Sequence, residues 1–215
     1  MGITLHGLFG RRTTKLTTML HDSITRTTFL KSRHQSLLLF TTSDVVDLLK
    51  LGLTKQAVLR VEHVIKSKNM LETLSMVESY CQLLVKRVSQ IERNRDCPEE
   101  LNEAIASLIY ASTRIGEFPE LIHIRDYIAS KFGKEYVSQC IEFPLYSSVN
   151  DKIVQNLSRR KPSLETRMRF LKEIASENGI TLHLDVDFRQ GEEAGKATKL
   201  SRNTKTINQV LTRDG

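Results

Sequence analysis

Between Gly10 and Gly52, and again between Gly52 and Pro98, the chain carries neither glycine nor proline. These two residues are the strongest punctuators of regular structure. Uninterrupted runs of 41 and 45 residues therefore stand well above the usual globular helix of roughly 8 to 20. The pattern predicts one long antiparallel helical hairpin whose arms each reach roughly 60 Å. Gly52 suits the left-handed position that ends the first helix and lets the chain reverse. A rod of this length favours lateral assembly or scaffolding over an enclosed active site.

The second run has the clearer helical period. Ala57, Val61, Val64, Leu71, Leu74, Cys81, Leu84, Val88 and Ile91 recur at intervals of three, four or seven, and such a stripe must be covered. The first run supplies Leu16, Leu20, Ile24, Leu30, Leu37, Leu38, Val45, Leu48 and Leu49. Its early half is a poor intrinsic helix, because the threonines between Thr13 and Thr28 are stiff at χ1. Thr41-Thr42-Ser43-Asp44 offers a further break, with Ser43 placed to cap a new segment.

Beyond Asp96 the punctuation becomes regular and the helices shorten. Pro98 with Glu99 and Glu100 reads as a helix start, with proline at N1 and acids at the positive end of the dipole, and Gly116 as its end. Pro119 opens a helix running to about Phe132 before Gly133, and a short segment follows from Lys134 to near Cys140. Asn150 or Asp151 caps a segment to Ser158, and Ser163 caps an amphipathic helix closed by Asn178-Gly179. The fold class is all-α. Leu182, Leu184, Val186 and Phe188 alternate with polar residues like an extended edge segment, and 186–215 reads as a disordered basic tail after a helical domain over 8–185.

Charge is unevenly placed. Residues 1–96 hold 15 Lys+Arg against 8 Asp+Glu, while 97–190 hold 12 against 14. Arg11, Arg12, Lys15, Arg26 and Arg33 fall within a band of roughly 100° on an ideal helix. Such a stripe is either a solvated face or a surface for anionic membrane or an acidic partner. Nucleic acid is not expected, since no reader motif or interleaved aromatics accompany the charge. A basic helical nucleic-acid-binding protein is the alternative that charge alone supports.

The remaining features narrow the class. Cys81, Cys97 and Cys140 are odd in number and form no CxxC pair, which argues for a reducing cytosol. No run of about 18 uncharged apolar residues is present. His6 stands where myristoylation at Gly2 wants Ser or Thr. Glu62-His63 has no second histidine in HExxH spacing, and Gly7–Arg12 lacks the Gly-Lys-Ser/Thr ending of a phosphate loop. Neither catalysis nor a metal or cofactor is expected.

Seven blocks then carry a resemblance. Arg60-Val61-Glu62-His63-Val64-Ile65, Tyr80-Cys81-Gln82-Leu83-Leu84, Cys97-Pro98-Glu99-Glu100-Leu101, Phe118-Pro119-Glu120-Leu121, Lys131-Phe132-Gly133-Lys134-Glu135-Tyr136, Val149-Asn150 and Pro162-Ser163-Leu164-Glu165 resemble blocks of the Increased Sodium Tolerance family of ESCRT-III-like proteins. The wording of residues 97–136 is most similar to plant members.

The resemblance implies an ESCRT-III-like hairpin with shorter helices packed against it, and a non-enzymatic protein. Its implied partners are ESCRT-III subunits of the charged multivesicular body protein class, endosomal membranes, and the AAA ATPase that disassembles ESCRT-III filaments. It implies membrane or polymer contact through the basic stripe, with Arg26 foremost. It also implies a groove for a partner helix beside the second helix and the later ones, for which Tyr80, Leu84, Ile153 and Leu157 are the candidate lining residues. Each of these four has a plainer reading as core. Family members usually end in leucine-rich motifs that engage the ATPase. Here residues 189–215 offer only Leu200, Ile207, Val210 and Leu211 in a basic setting, which leaves direct ATPase recruitment open and a competitor or modulator role available.

Overall fold

A computed structural model describes the backbone of residues 6–182 and the side chains of residues 15–182. Among the described residues seven helices follow one another: α1 (His6–Lys50), α2 (Thr54–Arg93), α3 (Glu99–Ser112), α4 (Pro119–Phe132), α5 (Lys134–Glu142), α6 (Asp151–Asn156) and α7 (Leu164–Glu177). Among the described residues there is no strand. Most of the alternating segment at 181–188, and all of the tail, lie outside them.

The hairpin turns where glycine demanded it. Gly52 sits at φ +70°, its N–H donates to Leu49 O at 3.0 Å, and Leu53 N–H donates to Leu48 O at 2.9 Å. This is a Schellman arrangement. A Cβ on Gly52 would meet nothing within 4 Å, so the requirement there is backbone conformation alone.

The break considered at Thr41–Asp44 does not occur, and α1 runs through it. Thr41 is buried and its Oγ1 donates back to Leu37 O at 2.8 Å. Ser23 and Thr27 do the same to Met19 O and Ile24 O. Each hydroxyl is satisfied one turn back, so these weak helix formers pack inside the hairpin without an orphaned polar group. Burial against α2 then overrides propensity.

Two apolar clusters divide the rod. Away from the turn, Leu16, Leu20 and Leu30 of α1 meet Leu74, Cys81, Leu84 and Ile91 of α2, and α3 to α6 close over them. α3 is buried at every position from Ala104 to Ser112, as a centrally enclosed helix must be. Near the turn, Leu171, Ile174 and Ala175 of α7 cover Val45, Leu49, Val61 and Val64. Between the clusters the seam is more polar, with Ser67 and Thr73 buried and His34 half-buried.

Local chemistry sets the shorter helices. Pro119 opens α4, Asn150 caps α6 by accepting from Lys152 N at 3.0 Å, and Ser163 caps α7 by accepting from Thr166 N at 3.1 Å. Pro98 is the N-cap of α3 rather than its first helical residue. α3 ends at Ser112, ahead of Gly116, and α6 ends at Asn156, short of Ser158.

Candidate functional site

The basic stripe on α1 is partly taken up by ion pairs within the molecule. Arg26 forks onto Glu120, with Nε to Oε1 at 2.9 Å and Nη2 to Oε1 at 2.8 Å. Arg33 pairs with Glu117 in the turn before α4. The hydrogen bond to Glu120, then its charge, raises the Arg26 pKa above its ordinary value. The stripe expected from the sequence is thus partly paired, because α4 lies along α1 and presents Glu120 to it, while the turn before α4 presents Glu117. Lys15 remains exposed and borders a shallow cleft with Met19 of α1 and His123, Asp126 and Tyr127 of α4. The side chains of Arg11 and Arg12 lie outside the described residues.

The four candidate groove residues surround α6 but do not form an open surface. Leu84, Ile153 and Leu157 are 1%, 0% and 8% exposed. These three are core side chains, because Ile153 of α6 and Leu157 at its end pack inward into one buried cluster with Leu84 of α2 and the side chains of α3. Tyr80 is half-buried. Its hydroxyl donates to Glu103 at 2.5 Å, Asn150 Nδ2 donates to the same carboxylate at 3.2 Å, and Asn150 N–H donates to Ser107 Oγ at 3.0 Å. Burial, then the bond to Glu103, pushes the Tyr80 phenol well above its usual range. The network fastens the start of α6 to α2 and α3.

An open groove lies alongside, between α2, α6 and α7. It encloses about 550 Å³ and has Ile65, Pro162 and Phe170 as apolar lining. Around these stand Lys66, Lys68, Lys152, Arg160 and Arg169, with Glu72 as the one acid lining the groove. Lys68 Nζ lies 5.1 Å and the Arg169 guanidinium 5.6 Å from the Phe170 ring centre. Glu72 is held by Lys152 at 3.4 Å and Asn156 Nδ2 at 3.0 Å. Apolar lining with a basic rim suits an amphipathic helix whose polar side carries acids. The sequence signal for this rim is the run Arg159-Arg160-Lys161 ahead of the Pro162-Ser163 helix start, together with Lys66 and Lys68 on one turn of α2.

Reactive chemistry is not assembled elsewhere among the described residues. No group of three or more His, Cys, Asp and Glu is placed to hold a metal ion there. Burial pushes the Cys81 thiol up to about 12 and Cys140 to about 11, which keeps both protonated near neutral pH. Glu62 takes a hydrogen bond from Lys66 that lowers its pKa, and His63 is exposed. No helix among the described residues is long and apolar enough to cross a membrane.

Comparison with known proteins agrees with this architecture. Residues 17–181 match the Ist1 family model, described as a regulator of Vps4 activity in the MVB pathway. An IST1-like protein of Dictyostelium discoideum is 31% identical over 168 residues, which cover 77% of this chain and 44% of that protein. Vacuolar protein sorting-associated protein IST1 of Saccharomyces cerevisiae is 33% identical over 172 residues, covering 76% of this chain and 57% of that one. The chain thus spans about half the length of these relatives. The crystal structure of the S. cerevisiae Ist1 N-terminal domain, solved in complex with a Did2 MIM motif, superposes with a TM-score of 0.72 at 31% identity. It covers 80% of this chain and 94% of that one. By family model and by fold, this chain belongs to the Ist1 family of regulators of Vps4 activity in the MVB pathway.

Proposed function

We propose that this chain is a non-enzymatic ESCRT-III-associated regulator, which binds subunits of the charged multivesicular body protein class and modulates filament assembly or their disassembly by the AAA ATPase Vps4. The single observation that carries this reading is the groove between α2, α6 and α7, with its apolar lining and basic rim. The likeness to an Ist1 domain solved in complex with a Did2 MIM motif supports a peptide-binding role for this fold. Tyr80, Leu84, Ile153 and Leu157 serve the groove from beneath, by holding α6 against α2.

Residues 8–185 act as the ESCRT-III-like unit and residues 186–215 as its basic tail. Recruitment to endosomal membranes uses the basic stripe of Arg11, Arg12, Lys15, Arg26 and Arg33, in which Lys15 is exposed while Arg26 and Arg33 are paired with Glu120 and Glu117. The wording of residues 97–136 supports a plant-like member of the family.

The test is a binding screen of the full chain against C-terminal helices of ESCRT-III subunits, repeated with Arg160→Glu and Arg169→Glu. The expected result is binding to at least one helix, weakened tenfold or more by either variant, about 1.4 kcal/mol. No binding by any helix overturns the reading.

A further inference from the structure

The outer face of α1 carries an apolar patch that no other described residue covers. Phe29, Leu39 and Phe40 are 60%, 65% and 61% exposed, and Leu37 is 44% exposed. They lie on the side of α1 away from α2, in a stretch whose other exposed side chains are serine, threonine, glutamine and Arg33. Arg33 is already paired with Glu117. The patch is therefore neutral in a chain whose net charge is +7. A second copy can meet such a face without like-charge repulsion.

The spacing of the patch is self-complementary. Phe29, Arg33, Ser36 and Phe40 follow one another at intervals of four, three and four, which is the repeat of a helix-packing seam. A second α1 crossing antiparallel about the midpoint of this seam sets Phe29 against Phe40 of the second copy, and Phe40 against Phe29. The same crossing sets Arg33 against Ser36, a small neutral residue that lets the backbones approach. Asp22 and Asp47 each stand seven residues, about two turns, beyond the nearer phenylalanine on the same face. They would oppose each other at either end, which confines the contact to a short central crossing.

We propose that this face is the interface of a symmetric homodimer in which α1 packs antiparallel on α1 of a second copy. The contact is isologous and closes on itself. It is small, so the dimer is weak, with a dissociation constant on the order of 10 to 100 µM. It is separate from the groove between α2, α6 and α7, so both surfaces can be occupied together.

Sedimentation equilibrium of the full chain over about 1 to 300 µM, bracketing that range, tests this. The parent is expected to dimerise, and Phe40→Glu to weaken dimerisation at least tenfold with unchanged helicity by circular dichroism. Phe29→Arg combined with Phe40→Glu in one chain is expected to restore it, because the proposed register places each new arginine against a new glutamate. Arg160→Glu is expected to dimerise like the parent. A parent that stays monomeric throughout overturns the proposal. So does a dimer that survives Phe40→Glu, or a double variant no better than Phe40→Glu. A monomeric parent whose binding to phosphatidylserine vesicles is lost in Phe40→Glu would assign the patch to lipid instead.

Discussion

Replacing Ile153 by alanine separates a core role from a surface role at α6. Ile153 is fully buried and packs with the cluster beneath α3. The change removes three carbons, worth about 2.4 kcal/mol at about 0.8 kcal/mol per buried methylene. The α2 and α3 members of that cluster, such as Leu74, Val77 and Ile105, sit in long or enclosed helices and relax only partly, so the cavity raises the loss to about 3 to 4 kcal/mol. With a urea m-value of about 2 kcal/mol/M for a protein of this size, the unfolding midpoint falls by about 1.5 to 2 M. α6 is six residues long and offers a route by which it could detach first. In that case its amides would exchange faster in deuterium while the global midpoint moved less. Urea unfolding together with hydrogen exchange reads both outcomes. A midpoint shift below about 0.5 M at unchanged m, with no faster exchange in α6, would refute the burial argument and return Ile153 to the groove surface.

Four further predictions follow from named contacts. Arg26→Glu places two acids together where α4 meets α1 and should speed exchange in α4, and Glu120→Arg added to it should reverse the effect; no recovery would mean the pair does not hold α4. Gly52→Ala should cost about 1 to 2 kcal/mol in chemical denaturation, because alanine at φ +70° is strained although space is free, and a neutral result would mean that the turn can change type. Ser163→Ala should cost about 1 kcal/mol through loss of the bond from Thr166 N–H, with Ser163→Asp close to neutral. His34 has its pKa lowered from 6.5, first by burial and then by Arg33, and its Nδ1 is buried without a partner among the described residues. The unfolded chain therefore takes up the proton first, so stability falls as pH drops below 6.5. His34→Leu should shrink the difference in urea midpoint between about pH 7.5 and pH 5.5, and an unchanged difference would exclude His34 as its source.

The elements legible in advance were those set by local chemistry. Gly52, Pro119, Gly133, Asn150, Ser163 and Gly179 each stand at a helix boundary, because a cap or a left-handed residue acts over one or two neighbours. The continuity of α1 was less legible, since its threonines are satisfied by carbonyls one turn back only once the helix exists. Placement through space was not legible at all. Arg26 and Glu120 are 94 positions apart, and Arg33 and Glu117 are 84 apart. No periodicity within α1 reveals that α4 lies across it. Leu84, Ile153 and Leu157 show the matching difficulty, since an apolar residue at helical spacing looks the same on a groove floor as in a core. The rim at Lys66, Lys68, Arg160 and Arg169 comes from α2, from α7 and from the loop before α7. It exists only because α7 folds back beside α2.

The central claim is that the exterior of this hairpin, at the groove between α2, α6 and α7, is where a partner helix acts. Hydrogen–deuterium exchange of the full chain, with and without a saturating ESCRT-III C-terminal helix, tests it most directly. The account predicts slower exchange in α6, α7 and the α2 segment around Ile65 to Glu72, with the outer face of α1 unchanged. Protection confined to α1 or to α4, with that groove unaffected, would contradict it.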